Sequence, residues 1–325
     1  MSYSIEPEDF SGLETAWEEL LSAATTNHIF STPQWQRAWW QAFGNDGQLL
    51  LLSVRRDTEL IAIIPLMRQG EKIAFIGSSD VCDYMDFVAR CGQEAAIFSR
   101  LLDYLEPIGW SSIDLHSLLP HSLALCHFAP LARQRGYLVE ITKEDVSPQL
   151  VLPLSWEGYL SQLKVKDRHE LRRKLRRLSQ VKSCFYVVED GKRLPQDLED
   201  FFTLFKQGKG DKREFMTDPM SGFFKAMASS VAAKGYLRLA FLEVEGQRVA
   251  SAICFDYWDR LHLYNSGYDP RYASLSVGLL CKAFCIREAI HQGKRHFDFL
   301  RGAEHYKYRL GGQDVPIYRC MISRG

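Results

Sequence analysis

A mixed α/β fold of the α+β kind, built from two related units, is what this chain predicts, on three observations. Each half presents an apolar hairpin, a further strand, an amphipathic helix and another strand, in the same order. Each copy also ends on a Gly-x-x-x-apolar-Asp-apolar stretch, Gly109-Trp-Ser-Ser-Ile-Asp-Leu in one and Gly293-Lys-Arg-His-Phe-Asp-Phe in the other. The 325 residues are enough for two domains of about 150 residues. A repeated order reads as two copies of one unit, each a mixed, mostly antiparallel sheet with helices against it. The expected domains are 1–153 and 154–325.

In the first half a short helix is expected over 13–24. A second begins at Phe30-Ser-Thr-Pro, where Ser31 or Thr32 caps and Pro33 takes the first turn with its fixed φ and missing N–H. Trp35 and Trp39 share a face of it, as core anchors. Leu49–Val54 and Leu60–Met67, split by a polar link, form a hairpin. A strand over 73–76, a helix over 93–105 on a 3.6-residue apolar period and a strand at 113–115 follow. A helix over 122–134 and strands at 137–141 and 149–152 complete the half. The second half repeats the theme, with strands at 237–243, 248–257 and 261–267, a helix over 276–291 and a short strand around Phe297-Asp298-Phe299. The glycines of Lys206–Arg213 mark a loop there.

Formal net charge is zero, 40 basic against 40 acidic side chains, which argues against a general nucleic-acid binder, DNA included, and leaves room for a local basic patch. The N-terminus carries no basic region followed by an apolar run, and no apolar stretch approaches a membrane span. The eight cysteines show no CxxC pairing, no zinc set is expected, and buried free thiols in a reducing cytoplasm follow. GxSxG, HExxH, GxxxxGK[ST] and GxGxxG are all absent, which turns the reading away from serine hydrolases, zincins and nucleotide-binding folds.

Three stretches carry chemistry. The loop Asp269–Ser276 leads into the long second-half helix, capped by Ser274 or Ser276, so Ser276, Val277, Gly278 and Leu279 present first-turn N–H groups that suit an anion; a capped helix and nothing more is the other reading. Just before it, Asn265-Ser266-Gly267 predicts a bulge or sheet opening whose freed N–H can stabilise an oxyanion. Asp298 faces away from Phe297 and Phe299 and opens a polar cluster with Arg301, Glu304, His305, Tyr306 and Lys307. Within it Tyr306 or Glu304 can move a proton, and Lys307 can hold an anionic group. A structural network closing the fold is the other reading of this cluster. Between the halves, 155–180 is strongly basic, with Arg168/Arg172 and Arg172/Arg176 as like-charge i,i+4 pairs costing about 0.2–0.5 kcal/mol each in an isolated helix. Either acidic side chains offset them or they bind phosphates and carboxylates.

The hairpin LEVEGQRVASAICF, the segment LYNSGYDPRYASLSVGLL, the strand FDFLRG and the following EHYKYRLGG, together with TPQWQRAWW and RHELRRKLRRL, make the chain resemble the acyltransferases related to the cellulose-biosynthesis protein CelD, within the GNAT superfamily. The resemblance implies tandem GNAT-like domains, an arrangement shared with Fem-type aminoacyltransferases. It implies acyl-CoA as donor and no metal, with an amine or hydroxyl acceptor such as a small molecule or a polysaccharide or peptide precursor. The N-terminal domain would bind the acceptor or serve as scaffold, and the C-terminal domain would hold the donor and the chemistry. Asp298, Glu304, Tyr306 and Lys307 would then be catalytic. Asn265, Ser266 and Ser276–Leu279 would hold the donor, and Arg168, Arg172, Arg176 and Arg301 the substrate. Fem-type relatives use aminoacyl-tRNA, so tRNA is implied only under that alternative; a non-catalytic binding protein on the same fold is the third. The usual Gln/Arg-x-x-Gly-x-Gly/Ala phosphate loop is reduced here to Gly278.

Overall fold

A computed structural model of the chain describes residues 2–188, 193–208 and 212–324. It divides into two compact units, Met1–Asp145 with Val315–Gly325, and Val146–Asp314. This differs from the expected division at 153/154, because the last strand of the chain belongs to the first unit.

Unit 1 contains β1 (Tyr3–Pro7), α1 (Glu14–Ala23), α2 (Pro33–Phe43), β2 (Gln48–Arg56), β3 (Glu59–Gln69), β4 (Lys72–Phe75), β5 (Val88–Ala89), α3 (Glu94–Leu105), β6 (Ser112–Leu118) and α4 (Ala129–Gln134). β7 (Leu138–Val151) follows, and the unit boundary falls inside it. The two short strands expected at 137–141 and 149–152 are therefore one continuous strand. Unit 2 adds α5 (Trp156–Gln162), α6 (Val165–Leu178), β8 (Ser183–Val187), α7 (Leu194–Gln207), α8 (Lys212–Phe215), α9 (Asp218–Ala233), β9 (Leu237–Val244), β10 (Gln247–Tyr257), β11 (Arg260–Tyr268), α10 (Val277–His291), β12 (His296–Asp298) and α11 (His305–Arg309). β13 (Gln313–Ser323) then pairs antiparallel with β6.

The sheet of unit 1 runs β1-β2-β3-β4-β6-β13, with β5 on β3, and that of unit 2 runs from the end of β7 through β12-β11-β10-β9-β8. Each has one parallel pair in the series just given: Lys72–Ala74 lie beside Ser112–Asp114, and Arg260–His262 beside His296–Asp298. Asp114 and Asp298 thus occupy the same register position after the same hairpin, strand and helix. Gly109 and Gly293, which open the two stretches, both sit in the left-handed region at φ 75° and 71°, where a glycine carries no Cβ penalty.

Local chemistry explains the elements. The Thr32 hydroxyl accepts from Trp35 N with Pro33 at the first position of α2, and Trp35 and Trp39 are buried. Burying such side chains is worth about 1.5–3 kcal/mol each. α10 is apolar nearly all round, with Val277, Leu280, Phe284, Ile286 and Ala289 buried against β9–β11. α6 is the opposite case, buried only through Leu171 and Leu178. β1, β8, α7 and α9 answer no expectation from the sequence. The middle of the expected 206–213 loop, 209–211, lies outside the described residues, while its flanks end α7 and form α8. Of the thiols, all free, Cys82, Cys254, Cys281, Cys285 and Cys320 are buried; Cys91, Cys126 and Cys184 are exposed, contrary to the expectation of burial.

Candidate active site

β11 and β12 pair over only three residues, Arg260–His262 with His296–Asp298. β12 then stops while β11 continues to Tyr268, so the sheet of unit 2 opens just past Asp298. β11 also bulges there: its register with β10 jumps from Leu263 to Asn265 across consecutive Cys254 and Ile253. Tyr264 is the extra residue. The bulge comes before the Asn265-Ser266-Gly267 stretch expected to form it, and Asn265 and Ser266 resume the ladder opposite Ile253 and Ala252. Gly267 has another reason to be glycine, because a Cβ would lie 2.3 Å from Phe205 N of α7.

Asp298 is fully buried, its Oδ1 accepting from Leu300 N at 2.8 Å and from the Ser147 hydroxyl at 3.2 Å. Its Oδ2 lies 3.6 Å from both Arg260 Nη1 and His262 Nδ1. At that length the histidine contact is electrostatic and not a hydrogen bond, in keeping with Nδ1 finding no hydrogen-bond partner among the described residues. Burial pushes the Asp298 carboxyl up, but His262, Arg260 and the Leu300 N–H outweigh it and hold the group below its ordinary value, so it is a carboxylate. His262 is drawn in by the parallel pairing itself, opposite Asp298, a contact no local signal announces.

Beyond the strand, Lys307 is buried and its ammonium donates to the carbonyls of Leu300 (2.9 Å), Arg301 (2.6 Å) and Gly302 (3.0 Å), with Glu304 Oε2 at 2.8 Å. An ammonium has three N–H donors, and these contacts occupy them. Lys307, expected to act catalytically or to hold a ligand's anion, here braces the 300–304 turn. Gly302 makes room for that brace, since a Cβ there would sit 2.6 Å from the Glu304 carboxylate. Glu304 itself is half exposed. Arg301 is half-buried, and its carbonyl is one of the groups Lys307 ties.

Tyr306 packs near Phe299 (ring centroids 6.4 Å apart) and under Lys282, whose Nζ lies 4.7 Å from its ring centroid. Burial raises the Tyr306 phenol well above its ordinary value, so it stays protonated and suits proton donation, not abstraction. Lys282 is buried, donates to Gly278 O at 3.0 Å, and burial lowers its pKa. This lysine, hidden in an apolar helix pattern, links the polar cluster to the start of α10.

The basic helix and the loop expected to bind anions meet at that start. Lys174 Nζ lies 2.6 Å from Ser276 Oγ, and Arg177 Nη1 donates to Ser274 O at 2.9 Å. Ser276 is left-handed at φ 57°. Gly278 does not offer an open cradle: a Cβ there would meet the Tyr268 ring at 2.8 Å, and Val277 and Gly278 are buried while Leu279 is half-buried. Lys174 also pairs with Glu170 Oε1 at 3.2 Å, so Lys174, Arg177 and the Ser276 hydroxyl form a donor group at this end of α10 that suits phosphate oxygens. The remaining arginines of α6 answer both sequence readings. Arg172 pairs with Glu157 and Arg173 with Glu170, Arg168 donates to Ser161 O at 3.4 Å, and the exposed Arg176 guanidinium has no acidic partner among the described residues. No group of three or more His, Cys, Asp or Glu among the described residues could hold a metal ion.

Residues 165–308 match the family model of the acetyltransferase (GNAT) domain. No curated protein matches the chain. Among solved structures it is similar to FemX, at 11% identity over 97% of this chain and 96% of that one with a TM-score of 0.68. It is also similar to L-PGS from Bacillus licheniformis, at 12% identity over 98% and 93% with a TM-score of 0.62. A tandem GNAT protein from the clavulanic acid biosynthesis pathway aligns at 10% identity over 100% and 99% with a TM-score of 0.53. At such identities the likeness is one of fold: two GNAT-like units in tandem, the GNAT-type acyltransferase fold.

Proposed function

We propose that the protein is an acyltransferase that moves an acyl group from a thioester, acyl-CoA, to an amine or hydroxyl acceptor at the opening between β11 and β12. The observation that carries this reading is the Lys282 bridge, which puts the protonated Tyr306 one side chain away from the first turn of α10. Lys174, Arg177 and Ser276 would hold the donor's diphosphate. The acceptor's nitrogen or oxygen bonds to the thioester carbonyl carbon as the C–S bond breaks. Tyr306 gives its proton to the leaving thiolate, and Glu304, directly or through water, takes the acceptor's proton. Asp298 and His262 keep the strand ends in place beneath this opening. The finer kinship with CelD-related proteins rests on the FDFLRG and EHYKYRLGG motifs. A cytoplasmic site suits the free thiols, and no helix among the described residues is long and apolar enough to cross a membrane.

Calorimetric titration tests the reading: acetyl-CoA should bind wild-type protein and bind Lys174→Ala more weakly. No heat from CoA or acetyl-CoA at any workable concentration removes it. The exposed Arg176 and its neighbours on α6 favour one alternative, transfer from an aminoacyl-tRNA. That reading requires tRNA binding that weakens steeply with salt.

A further inference from the structure

We infer that unit 2 carries a second, unassigned site: an anion-binding cleft of about 610 Å³ at the ends of α7 and the β9–β10 turn, built around Arg248. Its ligand is a small molecule bearing a carboxylate or phosphate.

Arg248 is fixed before any ligand arrives. Its Nε donates to Tyr186 Oη at 2.9 Å, its Nη1 to Asp197 at 2.7 Å and to Asp200 at 2.6 Å, and its guanidinium lies 3.9 Å over the Phe241 ring. Asp197 is buried, so the anchor is held from beneath the cleft. A guanidinium locked on one edge loses little freedom when its remaining nitrogen takes an acceptor.

The carboxylates lining the cleft are already engaged. Asp200 accepts from Arg248 and Gln196, Glu243 from Tyr186, and Asp269 from Arg271 through Nε and Nη2. The cations are not used up. Nη2 of Arg248 and Nη1 of Arg271 make no hydrogen bond among the described residues, and the exposed Arg193 has no ion pair there. A cleft with donors to spare and spoken-for acceptors selects a ligand rich in acceptor oxygens. The volume is in the range of small-molecule sites, about 300–1,000 Å³. Asp269 and Arg271 lie on the loop that leads to Ser276, and Leu204 on the α7 turn beneath Gly267 of β11. As the acceptor's anchoring subsite the cleft therefore rests on the acyl-transfer reading, whereas as an anion site it stands alone.

The test is an amide NMR titration of the full chain with inorganic phosphate and, separately, succinate, at constant ionic strength kept with chloride. Saturable shifts at Gly246 and Gln247 with a Kd of about 10 mM or tighter are expected for at least one of the two. Which anion is tighter assigns phosphate or carboxylate. Arg271→Ala and Arg193→Ala should each weaken binding by about fivefold or more. Arg193→Ala, at an exposed residue with no ion pair among the described residues, should do so without moving the melting temperature, whereas Arg271→Ala also lowers it by leaving buried Asp269 without its cation. Shifts that stay linear, or equal affinity in both variants, would overturn the site. Adding CoA to the same sample reports on Ser276–Leu280. Anion shifts with no CoA shifts leave the site standing and remove the acyl-transfer reading instead.

Discussion

At Lys307 and Tyr306, adjacent in sequence, burial produces opposite chemistry. Lys307 spends its donors on carbonyls of its own turn, so its removal should unfold that turn and not mute a catalytic step. Lys307→Met is expected to cost about 3 kcal/mol, as for a buried charge network broken on one side, visible as a lower midpoint in urea. Unchanged stability with lost donor binding would contradict the brace. Tyr306 has no such role, its hydroxyl making no hydrogen bond among the described residues while burial keeps it protonated. Tyr306→Phe should fold with wild-type stability and lower kcat by about 10²-fold with little change in KM; a change confined to KM would remove it as proton donor. Asp298 was visible in the sequence as a carboxylate on an apolar strand, but its partners were not: Ser147 and His262 reach it from elements 151 and 36 residues away.

Elements act here through what they are pressed against. α6 carries its basic residues to the start of α10, and the double variant Lys174→Ala/Arg177→Ala should weaken acyl-CoA binding by at least about tenfold. The equivalent change of the exposed, Glu157-paired Arg172 should do little. Calorimetry separates the two. In unit 1 the position matching Asp298 is taken by a different network. His116 lies 3.1 Å from Asp114 and 2.9 Å from Glu144 of β7, and Arg319 of β13 grips Asp114 with two bonds of 2.7 Å. The hydrogen bonds to Asp114 and Glu144 raise the His116 pKa from 6.5 to about 9. A raised folded-state value means that the imidazolium's stabilisation is fully present below pH 6.5 and is lost as pH rises through about 9. The melting temperature of unit 1 should therefore fall between those limits, and Glu144→Gln should flatten the fall; a slope unchanged by that variant would remove the clamp. Elements with a strong local period, such as α3 and the two hairpins, were legible, and α10 was legible as a long apolar run behind its Ser/Gly-bearing loop. α7 carries an equally legible signal, Leu198, Phe201, Phe202 and Phe205 at helical spacing behind Pro195, whereas the aromatic face of α9 is set by what it packs against.

For the whole molecule, the chain's last strand is the decisive piece. β13 contributes Ile317, Cys320 and Ile322 to the buried interior and Arg319 to Asp114, so unit 1 is completed by residues that follow the whole of unit 2 in sequence. A truncation after Asp314 should leave unit 1 without cooperative unfolding, while unit 2 keeps its protection in hydrogen exchange; protection retained in β6 would contradict this. By itself the sequence determined the repeated hairpin–strand–helix–strand order, the equivalence of Asp114 and Asp298 and the start of α10. Each is written in apolar periodicity, a capping residue or a left-handed glycine, which act over a few residues. Only the tertiary structure decided that β13 returns to unit 1, that Lys307 is consumed by its own turn, and that Lys174 lies on Ser276. These are contacts whose partners are set by packing, which side-chain pattern alone does not specify.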